Sequence, residues 1–163
     1  MASEKLSDGP IAVSLQPYLG SHPGIRDLLA AKMRLRPDAS WVLISHGSRR
    51  RGGNLPVEET AKYLEHKYQR SVCTAYWSVG PSWEEQVLNL VRDGHRQIGI
   101  VPYFLFKGGI TEAIARSVEQ FVREYPGVNF YLAEPLGATI ELIELIVESV
   151  EQTSCLFVDR YGI

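Results

Sequence analysis

The chain has 163 residues, with 17 Lys and Arg against 19 Asp and Glu, which gives a formal charge of −2. A hydrophobic fraction of 45% and a charged fraction of 22% are typical of a folded globular protein and exclude an acidic disordered chain. The lack of a positive net charge argues against nucleic acid as a partner.

Short runs of apolar and β-branched residues alternate with longer amphipathic segments, which is typical of an α/β fold with a mostly parallel sheet. We predict strands at residues 11–15, 41–45, 72–77, 98–104 and 128–132, and a weak one at 156–158. We predict helices over residues 56–68, 81–94, from Thr111 as N-cap to the residue before Pro126, and over 139–150.

One pattern occurs twice. Residues 13–20 and 130–137 both combine a strand-like run with a Pro- and Gly-containing loop, and each is followed by an amphipathic helix. Either two ordinary βα units resemble each other by chance, or residues 10–35 are the last βα unit of a preceding repeat. We divide the chain into a strand–helix segment at 1–38, an α/β domain at 39–152 and a tail or edge strand at 153–163.

Cys73 and Cys155 lie in apolar segments and are not spaced as a metal-binding pair, which favours buried thiols in a reducing compartment. No apolar stretch typical of a signal peptide follows Met1, and none approaches the roughly 20 residues of a membrane span. We therefore expect a cytoplasmic protein without a membrane contact.

Ligands of open parallel sheets bind beyond the carboxyl ends of the strands, and the most informative loop there covers residues 45–54. His46 directly follows a predicted strand, and a neutral imidazole can bind Co, Ni, Fe or Zn or accept a proton. Arg49, Arg50 and Arg51 follow, and guanidinium groups bind carboxylates or phosphates. The alternatives are a histidine bonded to a loop carbonyl and a solvated arginine turn.

A second candidate edge contains Lys107, Gly108 and Gly109 ahead of the helix at Thr111. A cation and a helix N-terminus both favour anions. Alternatively, the two glycines serve only the geometry of the turn. Together with the arginines, this edge predicts a polyanionic ligand.

Three segments resemble the CbiX-type sirohydrochlorin chelatases over residues 41–150: VLISHGSR at 42–49, PYFLFKGG at 102–109 and PLG at 135–137. The resemblance implies a chelatase-like three-layer α/β sandwich and an enzyme of the lyase class. Its substrates would be an anionic tetrapyrrole and a divalent metal, cobalt or iron with nickel as a further option, on the routes to cobalamin and siroheme. No organic cofactor is implied.

The resemblance also implies roles for individual residues. His46 occupies the position of a metal-binding histidine, and it is the candidate catalytic residue. Ser48, Arg49, Arg50, Arg51, Lys107, Gly108 and Gly109 would bind the tetrapyrrole. The second ligand histidine of the family is replaced by Ile110, and the family glutamate falls at Trp77 or Ser78.

Three hypotheses follow. In the first, the chain is the second unit of a two-unit chelatase and its metal site is incomplete. This unit then binds the tetrapyrrole, or forms one wall of the tetrapyrrole site, beside a preceding repeat. Alternatively, it is active by itself, using His46 with groups from a homodimer partner. The third hypothesis is a non-catalytic module that binds an anionic molecule or a partner through Arg49–Arg51.

Overall fold

The structure is a computed structural model that describes residues 17–161, with side chains described for residues 17–151. Within this range the chain forms a short 3₁₀ turn at Leu19–Ser21, five α-helices and four β-strands. The helices are α1 Pro23–Met33, α2 Leu55–Tyr68, α3 Trp83–Arg92, α4 Gly109–Glu124 and α5 Ile140–Tyr161. The strands are β1 Ser40–Ser45, β2 Val72–Tyr76, β3 Gln97–Pro102 and β4 Asn129–Leu132.

The four strands form one parallel sheet in the order β2-β1-β3-β4. β1 lies in the interior, where Val42 is in register with Cys73 on one side and Ile100 on the other. All six residues of β1 are buried, as expected for a parallel strand covered on both faces by crossover helices. This confirms the predicted α/β fold with a parallel sheet.

Side chains of β1 alternate between two separate apolar cores, because successive strand residues point to opposite faces. Trp41 and Leu43 pack with residues of α1, α2 and α5. Val42 and Ile44 pack with residues of α3 and α4. The sheet is therefore the middle of three layers, which confirms the predicted three-layer α/β sandwich.

Most predicted boundaries agree with the structure within one or two residues, and two do not. Thr111 is not the N-cap of α4, because Gly108 occupies that position and the Thr111 hydroxyl bonds to its backbone from within the first turn. Residues 156–158 are helical rather than a strand, because α5 continues to Tyr161. The strand predicted at residues 11–15 lies outside the described residues.

The segment before residue 39 contributes to the same core as the rest of the chain. Ile25 and Leu29 of α1 are almost fully buried against the sheet, and Tyr68 of α2 donates a hydrogen bond to the Ala30 carbonyl at 2.8 Å. In the part of the chain that the structure describes, no helix combines the length and apolar character needed to cross a membrane.

Candidate functional site at the carboxyl edge of the sheet

The candidate site lies where the chain changes direction across the sheet. From β1 the chain crosses on one face through α2 to β2, and it returns over the other face through α3 to β3 on the far side of β1. The loops after β1 and β3 therefore diverge at the carboxyl edge, which is the position where open α/β sheets bind ligands. His46 follows β1 at this point.

The loop after β1 is held closed by one asparagine. The Ser48 amide donates to the Asn54 Oδ1 at 2.8 Å, and the Asn54 Nδ2 donates back to the Ser48 carbonyl at 3.2 Å. The Ser48 hydroxyl accepts from the Arg50 amide at 3.1 Å. A side chain at Gly53 would collide with the Ser48 hydroxyl. The loop is consequently compact even though its tip is exposed.

Gly47 allows this loop to pass close to the end of β2. Its φ of +85° lies in the left-handed region that favours glycine. A Cβ at this position would lie 2.6 Å from the Val79 Cγ2 and 2.9 Å from the Tyr76 Cβ. The glycine of the His-Gly-Ser sequence therefore has a steric role of its own.

The His46 side chain is exposed at the rim, and its Nδ1 faces two oxygen atoms. One is the Gly47 carbonyl oxygen at 3.2 Å and the other is the Ser78 Oγ at 3.4 Å. The Ser78 hydroxyl donates to the His46 carbonyl at 2.8 Å, so its lone pairs are left to accept. The network assigns the proton to Nδ1, which leaves the lone pair of Nε2 for a ligand or a proton.

His46 borders an open hollow of about 410 Å³. This volume is within the usual range for small-molecule sites. The lining is mostly apolar or backbone, and it comprises Tyr18, Ser45, His46, Gly47, Ser48, Gly52, Gly53, Asn54, Pro56, Val57, Tyr103 and Phe104. An imidazole beside an apolar wall suits a flat, partly hydrophobic ligand.

Tyr103 connects the hollow to the start of the described chain. Its amide donates to the Ile44 carbonyl at 2.6 Å, and its hydroxyl donates to the Gly20 carbonyl. Burial raises the pKa of the Tyr103 phenol to about 12, so the hydroxyl stays protonated as the donor at neutral pH. This bond holds the 3₁₀ turn, and with it the exposed Tyr18, beside the hollow.

The cationic residues predicted to bind the tetrapyrrole are spread along the edge. Arg49, Arg50 and Arg51 are exposed on the loop tip and do not line the hollow. The Lys107 Nζ lies 2.8 Å from the Glu134 Oε2 in an exposed ion pair. Of the predicted ligand-binding residues, the structure places Ser48 on the wall with His46.

Two residues of the second predicted anion-binding segment, 107–109, belong to the start of α4. Gly108 is its N-cap and Gly109 its first residue. Ile110 is half-buried and packs against the core formed with α3 and α4. Among the residues with described side chains, no three His, Cys, Asp or Glu side chains are grouped closely enough to hold a metal ion.

Sequence reasoning missed four residues that shape the site. Asn54 has no predicted role in the sequence, and Ser78 is predicted only as a position at which the family glutamate falls. An Asn six residues after Ser48 is a local signal for a closed loop. Tyr18 and Tyr103 offered no such signal, because their proximity depends on the strand order.

Comparison with known proteins identifies the family of this chain. The CbiX family model matches residues 40–153. The chloroplastic sirohydrochlorin ferrochelatase of Arabidopsis thaliana is 26% identical over 113 residues, which are 68% of this chain and 50% of that protein.

Solved structures share the fold. SirB from Bacillus subtilis subspecies spizizenii in complex with cobalt matches with a TM-score of 0.66 and 22% identity, over 85% of this chain and 53% of that one. A CbiX protein from Marinobacter aquaeolei VT8 matches with a TM-score of 0.60 and 26% identity, over 71% of this chain and 93% of that one. The chain thus spans about half the length of the Arabidopsis protein and of SirB, and it belongs to the CbiX-type chelatase family.

Proposed function

We propose that this chain binds an anionic tetrapyrrole of the sirohydrochlorin class in the hollow beside His46 and takes part in inserting cobalt or iron into it. The observation that carries the proposal is the orientation of His46. Its Nδ1 is engaged by Gly47 and Ser78, and its Nε2 is left for chemistry at the open rim. Membership of the CbiX family and the named activity of the Arabidopsis relative support the substrate class.

Metal insertion sets two requirements for the protein. The ring gives up two pyrrole protons as the divalent ion enters, and the ion exchanges its water ligands for ring nitrogens. The Nε2 of His46 can accept one proton at a time and pass it to solvent, or it can ligate the incoming ion. The apolar wall with Tyr18 and Phe104 would contact the face of the macrocycle.

A single imidazole is a weak site for a hydrated divalent ion compared with two or three preorganised ligands. Ile110 cannot ligate, and the described side chains form no group of three potential ligands. We therefore propose that this unit contributes one wall of the tetrapyrrole site and one imidazole that can ligate the metal. The remaining ligands would come from a preceding repeat or from a homodimer partner.

The ligand atoms determine the identity of the metal only in part. Imidazole binds cobalt, iron and nickel, and selection among them depends on availability as well as geometry. Solved relatives described with cobalt and with Fe³⁺ favour cobalt and iron. We place nickel third, and we place the reaction on the routes to cobalamin or siroheme.

The test is an anaerobic titration of the purified protein with sirohydrochlorin, followed by addition of Co²⁺ and absorbance spectroscopy of the ring. We expect a spectral shift on binding at micromolar concentrations and a further shift on metal insertion. His46→Ala should lower the insertion rate at least tenfold while ring binding changes little. His66→Ala, an exposed histidine on α2, is the matched control and should be without effect.

Two results would overturn this proposal. Absence of any ring spectral shift at tens of micromolar would remove even the binding role. Unchanged insertion in His46→Ala would remove His46 from the chemistry. Ile110→His tests the incomplete site further, and we expect it to raise affinity for Co²⁺ if a second imidazole reaches the ion bound to His46.

A second candidate function is a non-catalytic anion- or partner-binding module. It is favoured by the exposure of Arg49, Arg50 and Arg51 outside the hollow. Arg50→Glu separates the two functions. Weaker tetrapyrrole binding in this variant supports the chelatase, whereas unchanged tetrapyrrole binding with loss of a protein partner supports the module.

A further inference from the structure

The outer edge of the sheet at β4 is open in the described part of the chain. β4 is the last strand in the order β2-β1-β3-β4, and it pairs on one side with β3. The amides of Asn129 and Ala133 donate to carbonyls on the β3 side, each at 2.8 Å. Backbone groups alternate in direction along a strand, so those of Phe130 and Leu132 point away from β3. Within residues 17–161 no strand pairs with them.

The sequence of β4 does little to prevent another strand from pairing with this edge. Residues 129–132 include neither a charged residue nor a proline. Exposed edge strands commonly carry one of these, because both discourage pairing with a further chain. An extended peptide can therefore add to this edge through main-chain hydrogen bonds. Because β4 has four residues, the added peptide would pair over a short length.

A groove of about 620 Å³ lies along this edge, towards the amino ends of the strands. Residues 128–131 line it together with the α1–β1 loop at 35–39 and Val122 of α4. Leu35 of the loop is 64% exposed, and Val122 is 49% exposed. The loop follows α1 and Val122 belongs to α4, and these two helices lie in opposite layers. Apolar side chains are therefore available on both faces of an added strand, whose own side chains alternate between the faces.

Arg36 provides a positive charge beside the groove. Its guanidinium lies over the ring of Tyr131, 5.1 Å from the ring centroid, and its Nη1 donates to the Leu35 carbonyl at 3.1 Å. Both contacts restrict the position of this exposed side chain. Among the ion pairs of the described residues, none involves Arg36. Its charge is therefore available to an acidic group in the groove.

The amino edge of the sheet is positively charged, although the chain as a whole is negative. Each segment that leads into a strand at this edge contains at least one exposed arginine. These arginines are Arg34, Arg36, Arg70, Arg92, Arg96 and Arg123, and the exposed carboxylates of the same segments are Asp38, Asp93 and Glu124. Six cations against three anions give +3, on a chain of formal charge −2. The helix dipole also favours arginines at helix C-termini, so it is the combination with the open edge and the groove that indicates an acidic ligand.

We propose that the open edge of β4, with its groove, is a docking site for an extended acidic peptide segment of another protein. The peptide adds to β4 as a fifth strand, with apolar residues in the groove and carboxylates beside Arg36. A second copy of this chain fits less well, because pairing of two β4 strands would bring two positively charged edges together. A nucleic acid also fits less well, because it would leave the main-chain groups of Phe130 and Leu132 without partners.

The test measures the binding of three fluorescein-labelled octapeptides to the complete chain of 163 residues by fluorescence anisotropy. The first peptide has four central valines with two glutamates at each end. The second has lysines in place of the glutamates. The third has all four valine amides N-methylated, so that they cannot donate to an edge strand. We expect the first peptide to bind at tens of micromolar at low salt, at least tenfold more tightly than the other two.

Arg36→Glu should weaken binding of the first peptide at least fivefold, because it reverses the charge beside the groove. Arg116→Glu, at an exposed position of α4 outside the groove, is the matched control and should leave binding unchanged. Residue-resolved amide exchange by NMR locates the peptide. The amides of Phe130 and Leu132 should exchange at least fivefold more slowly in the complex, whereas the amide of Tyr131, which faces β3, should change little.

The proposal is overturned if the first peptide fails to bind, or if the first and third bind equally, which would show attraction by charge without strand addition. Protection of the Phe130 and Leu132 amides in the free monomer would assign the edge to another segment of this chain, such as residues 11–15. Protection that rises with protein concentration would assign it to a second copy. An eight-base oligothymidine that binds more tightly than the first peptide would make the edge a nucleic-acid surface, and each of these three results also overturns the proposal. No readout involves a tetrapyrrole or His46, so this proposal and the proposed function can fail independently.

Discussion

The Ser78 hydroxyl bridges two parts of His46: it donates to the carbonyl at 2.8 Å and lies 3.4 Å from the side-chain Nδ1. The Ser78 amide donates to the same carbonyl at 2.9 Å. These contacts extend the pairing of the two strands by one residue beyond the end of β1 and two beyond the end of β2. Ser78 is thereby a positioning residue for the imidazole, although it cannot itself take the place of a carboxylate ligand.

Ser78→Ala should lower the population of the Nδ1–H tautomer of His46. With one of the two acceptors near Nδ1 removed, the Nε2–H form becomes more populated, and that form has no lone pair at Nε2. Loss of such a supporting contact typically costs about tenfold or more in metal affinity. Imidazole ¹⁵N NMR shifts and Co²⁺ titration would measure both effects. Ser78→Thr keeps the hydroxyl and should behave as wild type; equal losses in Thr and Ala would contradict the role given to Ser78.

Gly47→Ala should destabilise the fold more than an ordinary substitution at a left-handed glycine. The substitution places an alanine at φ +85°, and its Cβ would lie 2.6 Å from the Val79 Cγ2. Backbone strain and overpacking together should lower the free energy of unfolding by about 3 kcal/mol.

Gly94→Ala is the control for this prediction, because Gly94 has φ +90° with open space around it. This variant should lose only the backbone contribution, about 1 to 2 kcal/mol. Urea unfolding would compare the two. Equal losses would show that the contact of the loop with Val79 and Tyr76 does not constrain position 47.

The sheet was predictable because its residues carry local signals. β1 is a continuous apolar run, and Gly94 marks the end of α3 in the left-handed conformation expected after a helix. The α4 start was misplaced because Thr111 resembles an N-cap, whereas Gly108 can take that position without a side chain. Residues 156–158 have β-branched and aromatic character, but they continue the preceding helix.

The site was predictable only as a set of loops at one edge. Ser78 and Tyr103 both flank His46 because β1 lies between β2 and β3. Ser78 is 32 residues from His46, and Tyr103 is 83 residues from Gly20. No periodicity reports contacts at such separations, since they depend on strand order. The same holds for the Lys107–Glu134 pair, which joins the loops after β3 and β4.

Glu134→Gln should strengthen binding of an anionic tetrapyrrole, because it releases Lys107 from its ion pair and removes a negative charge from the edge. Both partners are mostly exposed, at 71% and 69%, so the effect on stability should be below about 1 kcal/mol. We expect a Kd two- to threefold lower at low salt, converging with wild type as salt screens the charges. Lys107→Ala should change the Kd in the opposite direction, and Lys62→Ala on α2 should be neutral. An unchanged Kd in both Lys107→Ala and Glu134→Gln would place Lys107 outside the binding surface.

Cys73 should make the stability of the fold sensitive to alkaline pH. Burial raises the pKa of its thiol from the ordinary value of 9.0 to about 11, and the thiol lies 3.6 Å from the Trp41 carbonyl, to which it donates. The folded protein therefore keeps this proton at a pH where the unfolded chain releases it. The resulting stability is fully present below pH 9 and is lost as the pH rises towards 11, by about 2 to 3 kcal/mol in all.

Cys73→Ala isolates this contribution, because alkaline titration of tyrosines is common to both proteins. Urea unfolding at intervals from pH 8 to 11 should show the wild type losing stability faster than the variant. The same burial should make Cys73 slow to react with iodoacetamide at pH 7, as peptide mass spectrometry would show, since the thiolate is the reactive form. Parallel stability curves for the two proteins, or rapid alkylation of Cys73 in the folded state, would mean that this thiol on β2 is more open to solvent than its packing against the apolar core implies.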